Sequence, residues 1–320
     1  MSNADTEAAI VVGVGPHGHL SDGTIAFAVD AAERLELGIE LVHVVPTYFG
    51  GPTGTWEVST TFDQLVAEGR AGLSAALDRV SGRAGAGLPV AAELVRGGVI
   101  EKLVERSGRA QLVVLERSHL SRWERLTDGS VTAGVAARAH APVVSVPQGW
   151  QPSVDPRPIT VAVEDAERAA SETWTALGLA AVSDLPVRVL RVTYLPQAYQ
   201  EILRREVRED DFLMVARQEL ARDVQLPDSV CERVPCTFEV RWGRPAEVLV
   251  DASAASSLLV VARRDPHVPF GSHLGPVVRH VLREAVCPVM VVEPTLAQDV
   301  GSVDPLSVAS PRPFSAAVAS

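Results

Sequence analysis

Two stretches decide the fold because each says the same thing. Gln111-Leu-Val-Val-Leu-Glu-Arg-Ser118 leads through a helical segment to Ala141-Pro-Val-Val-Ser-Val146. Ser257-Leu-Leu-Val-Val-Ala-Arg-Arg264 leads through a similar segment to Cys287-Pro-Val-Met-Val-Val292. Pro142 and Pro288 stand at the same point, just before a last apolar run. The period is far longer than the roughly 20–50 residues of solenoid and propeller units, so the repeat is a duplicated domain.

Working outward, copy one opens with the apolar run Ile10–Val14, which stops at Gly15-Pro16. A helix is expected from Ser21 to about Leu37, with Ser21 and Asp22 as N-cap residues and Gly38 as its stop. Glu40–Val45 reads as a strand. The glycine-rich segment Gly50–Thr55 precedes a long helix whose Phe62, Leu65, Val66, Leu73, Leu77 and Val80 recur at helical spacing. Then come a strand ending at Val95, a helix from Val99 to Ser107, the strand Leu112–Leu115, a helix from Ser130 and the strand Val143–Val146. Copy two repeats the order, with strands at Ile159–Val163, Val187–Val192, Thr237–Arg241, Leu258–Val261 and Val289–Val292. A charged helix, about Tyr199 to Val224, lies between its second and third strands.

These strands are continuous apolar runs rather than alternating ones, the mark of a parallel sheet covered on both faces. The fold class is therefore α/β: two tandem doubly wound domains, each a five-stranded, mostly parallel open sheet flanked by helices. The expected boundaries are domain one at 8–147, a linker at 148–158, domain two at 159–293 and a disordered tail at 294–320. Four prolines between Pro147 and Pro158 stiffen the linker. The tail, rich in Pro, Ser, Ala and Val, shows no periodicity.

Composition narrows the function. The net charge is −11, which disfavours nucleic acid and acidic membranes as partners. No run of 18 apolar residues is present to span a bilayer. Met1–Glu7 is polar and acidic, unlike a signal peptide. Cys231, Cys236 and Cys287 lack zinc or CxxC spacing and read as reduced thiols, so a cytoplasmic location is expected. There is no Gly-x-Ser-x-Gly elbow, no HExxH and no P-loop, and no enzymatic activity is expected. Gly13-x-Gly15-x-x-Gly18 fits the bare dinucleotide pattern but begins inside a strand. His17 and His19 form a polar loop in preference to a metal pair, and His43 a packed strand residue.

In open parallel sheets, ligands bind beyond the carboxyl ends of the strands. The helix start after strand four adds free N–H groups and partial positive charge. The order of elements, Arg241-Trp-Gly-Arg-Pro-Ala-Glu-Val-Leu-Val-Asp251 and Leu274-Gly-Pro-Val-Val-Arg-His-Val-Leu-Arg283 resemble the universal stress protein family in its tandem form, from Ala8 to Glu293. ATP-binding members carry Gly-x2-Gly-x9-Gly-Ser/Thr after strand four and an Asp ending strand one. The resemblance therefore implies ATP or another adenine nucleotide as the ligand class, with no cofactor certain.

Carried onto copy one, the resemblance places the site at Val14, Gly15, Val44, Val114, Leu115, Arg117, Ser118, Gly129, Ser130, Val131 and Thr132. In copy two it places it at Val163, Glu164, Val192, Val261, Ala262, Arg264, Asp265, Gly275 and Val277. Both motifs are degraded. Ala262 and Asp265 stand at the first two glycines of copy two, and Pro276 removes both donors at the helix start. Leu115 and Ser118 are set at the first two glycines of copy one, where Gly129-Ser130 survives. That alignment uses an offset of 147 residues before the loop and 146 after it, and so predicts one inserted residue in copy one. Gly15 replaces the strand-one Asp, whereas Glu164 keeps a carboxylate. Helix capping accounts for Gly129-Ser130 and for Glu164-Asp165 as well as ligand binding does. Arg263 and Arg264 read also as solvated loop charge or a domain contact.

The expectation is a stress-related regulatory protein with weak or absent ATP binding, working through an unidentified protein partner. A nucleotide-binding switch, mainly in domain one, is the alternative, with nucleotide hydrolysis behind it. The resemblance implies an intramolecular pseudo-dimer through the last strands, Val143–Val146 and Val289–Val292. Whether two chains form a homodimer is left open by the residues.

Overall fold

The computed structural model describes residues 9–47, 57–117, 131–165, 169–194, 209–224, 226, 228–264 and 273–293. Copy one runs β1 (Ala9–Val14), a 3-10 turn (Pro16–Gly18), α1 (Asp22–Leu35), β2 (Gly38–Val45), α2 (Glu57–Arg83), β3 (Val90–Arg96), α3 (Val99–Ser107), β4 (Ala110–Arg117), α4 (Val131–Ala136) and β5 (Val143–Pro147). Copy two runs β6 (Ile159–Val163), α5 (Ala170–Ser183), β7 (Val187–Thr193), α6 (Glu209–Val224), α7 (Asp228–Cys231), β8 (Cys236–Trp242), α8 (Pro245–Ser253), β9 (Leu258–Ala262), α9 (Pro276–Glu284) and β10 (Val289–Val292).

The ten strands among the described residues form one sheet in the order β3-β2-β1-β4-β5-β10-β9-β6-β7-β8. Each half is parallel and doubly wound. The halves meet where β5 and β10 pair antiparallel, with Met290 opposite Val144 and Val291 opposite Val143. The two prolines serve this seam. Lacking an N–H, each sits just before its strand, and its carbonyl accepts from strand four: Val113 N to Pro142 O at 2.9 Å, Leu259 N to Pro288 O at 3.0 Å.

Alternation along the strands sends side chains to two cores, one on each face of the sheet. The first holds Ile10, Val12 and Val114 with Val161, Val260, Met290 and Leu177. The second holds Val11, Val113, Leu115 and Val143 with Leu259, Val261, Val289 and Val281. Each core draws on both copies, so the seam crosses apolar packing on both faces. Arg34 of α1 adds a bond to Val182 O of α5 at 3.3 Å. Arg117, at the end of β4, donates to Leu282 O at 3.0 Å and Ala285 O at 2.7 Å, where α9 ends.

The structure corrects two expectations and adds a contact made by the linker. Gly38 does not stop α1; Glu36 takes the left-handed conformation (φ 54) and Leu37 N donates to Ala32 O at 2.9 Å. This Schellman-type ending lets Leu37 bury while Glu36 faces water. Asp184 (φ 52) ends α5 the same way, with Leu185 N on Ala180 O at 3.1 Å. The linker begins docked: Trp150 packs edge-on against Phe27 at 6.1 Å, and its backbone lies against Gly23. Second, copy one has no inserted residue. Val113 and Leu259 make the same bond to the same proline, so strand four repeats at an offset of 146, as the prolines do. Gly50–Thr55, Tyr199–Arg208 and Pro294–Ser320 lie outside the described residues.

Candidate functional site

The corrected register changes what stands at the first-glycine position. Leu115 and Val261 point into the same core, and Glu116 is the counterpart of Ala262. Glu116, His119 and Gly129 then preserve the two- and nine-residue spacing without a gap. Glu116 was missed in the sequence. The signal that finds it is the count from Gln111 to Ser257, which already gives 146.

In copy one, β1 ends at Val14 and the chain turns through Gly15-Pro16-His17-Gly18. Gly18 (φ +76) permits the turn; a Cβ there would come within 2.1 Å of Gly72 O on α2. The turn delivers Ser21 as N-cap of α1, its side chain accepting from Thr24 N at 3.2 Å. Glu116 reaches over from the sheet to this helix start. Its Oε2 accepts from Ser21 N at 2.5 Å and from Thr24 Oγ1 at 2.8 Å. His19 Nδ1 lies 3.1 Å from its other oxygen, and the Glu116 side chain is only 8% exposed. An internal carboxylate thus occupies the electropositive start of α1. Leu115, 4% exposed, closes the other face of the sheet: a Cβ on Gly13 would meet its Cδ2 at 2.5 Å.

In copy two the carboxyl comes from the opposite wall. The α1 and α5 helices repeat at an offset of 148: Ile25 N bonds Ser21 O as Thr173 N bonds Ala169 O, and the left-handed Glu36 and Asp184 correspond. Glu172 therefore takes the place of Thr24, and Ala262 that of Glu116. Glu172 is 4% exposed, its Oε2 has no hydrogen-bond partner, and neither has Thr173 Oγ1 beside it. Burial pushes its carboxyl up to about 7, against a smaller opposing effect of its own backbone N–H. Ala169 gives α5 no side-chain cap, unlike Ser21 on α1.

The remaining expected residues separate into three groups. Val14, Val44, Val114, Leu115, Thr132, Val163, Val261 and Gly275 are buried, while Val192, Ala262 and Val277 are half-buried. Gly15, half-buried, accepts the backbone turn, and Glu164 is exposed at the end of β6. Arg264 lies across the start of α9, where a Cβ on Gly275 would meet its Nε at 2.9 Å; Pro276 follows as the first helical residue. Val131 is exposed at the start of α4. Arg117 gives two of its donors to carbonyls at the end of α9, and burial lowers its guanidinium pKa. Its counterpart Arg263 pairs with Glu293 at 3.2 Å. Ser118, Gly129, Ser130 and Asp265 lie outside the described residues.

The histidines do not converge. His17 approaches Glu68 at 3.6 Å and His19 approaches Glu116, while His43 is buried with Nδ1 3.0 Å from Val14 O. Among the described residues no group of three or more His, Cys, Asp or Glu is placed to hold a metal ion.

The fold defines a tandem α/β protein, each copy of which carries a buried glutamate near the start of its first helix. The sequence profile of the Universal stress protein family matches residues 8–147 and 156–293, and the chain belongs to that family. It is 30% identical over 313 residues to one universal stress protein of Mycobacterium tuberculosis, covering 91% of this chain and 99% of the other. A second from the same organism is 24% identical over 319 residues, covering 91% and 96%. The crystal structure of a universal stress protein from Archaeoglobus fulgidus has the same fold, with a TM-score of 0.64 at 12% identity, covering 90% of this chain and 97% of that one.

Proposed function

We propose that this tandem universal stress protein binds ATP weakly or not at all and acts in stress-related regulation through protein contacts in the cytoplasm. The reading takes residues 8–147 and 159–293 as its domains, 148–158 as their linker and 294–320 as a tail. One observation carries it: Glu116, at the end of strand four, bonds the start of the first helix in copy one, and Glu172 lies buried in the first turn of the corresponding helix in copy two. A carboxylate there repels the phosphates that the family's glycine leaves room for, and it already satisfies the α1 start.

Calorimetry with ATP, ADP, AMP and cyclic AMP tests this. The expected result is no binding tighter than about 1 mM, equivalent to roughly 4 kcal/mol. Micromolar binding abolished by Ser130→Ala with Gly129→Val overturns it.

A second reading, the adenine-nucleotide switch, draws support from copy two more than from copy one. Arg264 lies against the start of α9, Glu164 is exposed, and Glu172 loses its charge on protonation. Under that reading binding strengthens about tenfold between pH 8 and pH 6, following the Glu172 carboxyl. It is dropped if binding is absent at both values.

A further inference from the structure

Cys231 and Cys236 fall on either side of a tight turn in copy two. Cys231 is the last residue of α7 and is exposed; Cys236 is the first residue of β8 and is half-buried. Arg233 N and Val234 N both bond Val230 O, at 3.1 and 2.9 Å, which folds the intervening residues back and returns the chain beside its own helix end. Pro235 then leads into β8, its carbonyl accepting from Val187 N at 2.8 Å. The turn is thus anchored on both sides, by α7 and by the sheet. It returns Cys236 beside the end of α7, near enough for the Cys231 thiol to bear on its neighbour. Cys236 Sγ also donates to Val234 O at 3.2 Å, which holds it on the inner side of the turn.

We propose that Cys231 and Cys236 form a thiol–disulfide exchange site whose substrate class is the low-molecular-weight disulfide. The exposed Cys231 thiolate attacks one sulfur of the small disulfide, forming a mixed disulfide and expelling one small thiolate. Cys236 sulfur then attacks Cys231 Sγ, forming the internal disulfide and expelling the second. The protein gives up two electrons and two protons; the small disulfide becomes two small thiols. The neighbouring roles differ by environment. Burial, and after it the Cys231 charge and hydrogen bond, push the Cys236 thiol up to about 12, so it stays protonated while Cys231 reacts first. Formation of the mixed disulfide removes the Cys231 charge and with it one cause of that elevation. Cys287, buried in the second core with its thiol likewise pushed up to about 12, takes no part. The site lies at the amino-terminal end of an outer strand, away from the clefts at the carboxyl ends, so its state and that of the clefts are read separately.

Oxidised glutathione on the full native chain is the test. Trypsin cuts after Arg222, Arg233 and Arg241, which places Cys231 and Cys236 in different peptides, 223–233 and 234–241. The expected product has lost the mass of two hydrogens, shows these two peptides joined until reduced, and has one titratable thiol left of three in denaturant. Cys236→Ser, which keeps the shape of the turn, is expected to stop at a stable glutathione adduct on Cys231. Circular dichroism and the melting temperature of that variant are expected to match the parent. A native chain that retains three thiols, keeps a lasting adduct, links two chains, or joins Cys287 in place of either residue overturns the proposal.

Discussion

In copy one the buried carboxyl hangs from the sheet and takes two hydrogen bonds from the helix start on one oxygen; in copy two it hangs from the helix itself. Glu116 is held by Ser21, Thr24 and His19. Glu172, in the first turn of α5, is buried and keeps one oxygen without a hydrogen-bond partner, as Glu116 does. By the two offsets, the large and small members of the pair are exchanged: glutamate with threonine in copy one, alanine with glutamate in copy two. What the two copies share is a buried carboxyl supplied from non-equivalent positions. They differ in their bonding to the helix. Ser21 N and Thr24 Oγ1 both donate to one oxygen of Glu116, whereas burial pushes the Glu172 carboxyl up to about 7.

The strongest way to break this pairing is to give copy two both carboxyls. Ala262→Glu alone is expected to cost about 4 kcal/mol at pH 8, from overpacking and like charge in one buried gap. Adding Glu172→Thr recreates the arrangement of copy one and is expected to recover at least about 2 kcal/mol of that. Urea unfolding of the four members of the cycle measures it; additive effects would show that the two positions do not share a space.

Next comes the pH dependence of Glu172. Its folded value of about 7 lies above that of an unfolded glutamate, about 4.3. The folded chain holds a proton in that window that the unfolded chain has released, so stability falls as pH rises through it and is flat above. Glu172→Gln does not ionise. It is expected to be near neutral at about pH 4.5 and to stabilise by up to about 3 kcal/mol at pH 8, at roughly 1.4 kcal/mol per unit. Melting curves across this range check it, and a pH-independent difference would remove the protonated carboxyl from the description.

Glu116→Ala sharpens the contrast from the other side. It leaves Ser21 N and Thr24 Oγ1 without their acceptor and is expected to cost about 1–2 kcal/mol. Denaturant titration of the variant against the parent chain measures this cost. The smallest expected difference separates two related arginines. Arg117→Met removes two bonds to the end of α9 and is expected to cost about 1.5 kcal/mol. Arg263→Met, whose partner Glu293 is largely exposed, is expected to stay within about 0.5 kcal/mol.

The fold was legible because its signal is carried by many residues at once. The apolar runs, the prolines before β5 and β10, and the helix Val99–Ser107 all stand where periodicity puts them. Strand ends moved by one or two residues, since hydrogen bonding continues past the last apolar side chain, as at Arg117 and Trp242. The site was less legible for two physical reasons. Matching Leu115 to Ala262 treated the glycine motif as a string, whereas the sheet register requires every strand-four residue to shift together. Glu172 carried no motif at all; it is one more acidic residue in the first turn of a helix, and only its burial distinguishes it. Arg117 entered the candidate site through the family resemblance alone. That two of its donors bond the other half follows only from the seam.

That seam has a consequence for how such a chain can change. Both cores draw residues from each half, so neither half can be cut out, inherited separately or melted alone without exposing apolar surface across the join. Mutations in either cleft are thus judged against the stability of the whole. A second gene copy normally frees one duplicate to drift while the other keeps the task. Here the duplicates share one unfolding equilibrium, and the drift shows instead as the same filler supplied by different residues.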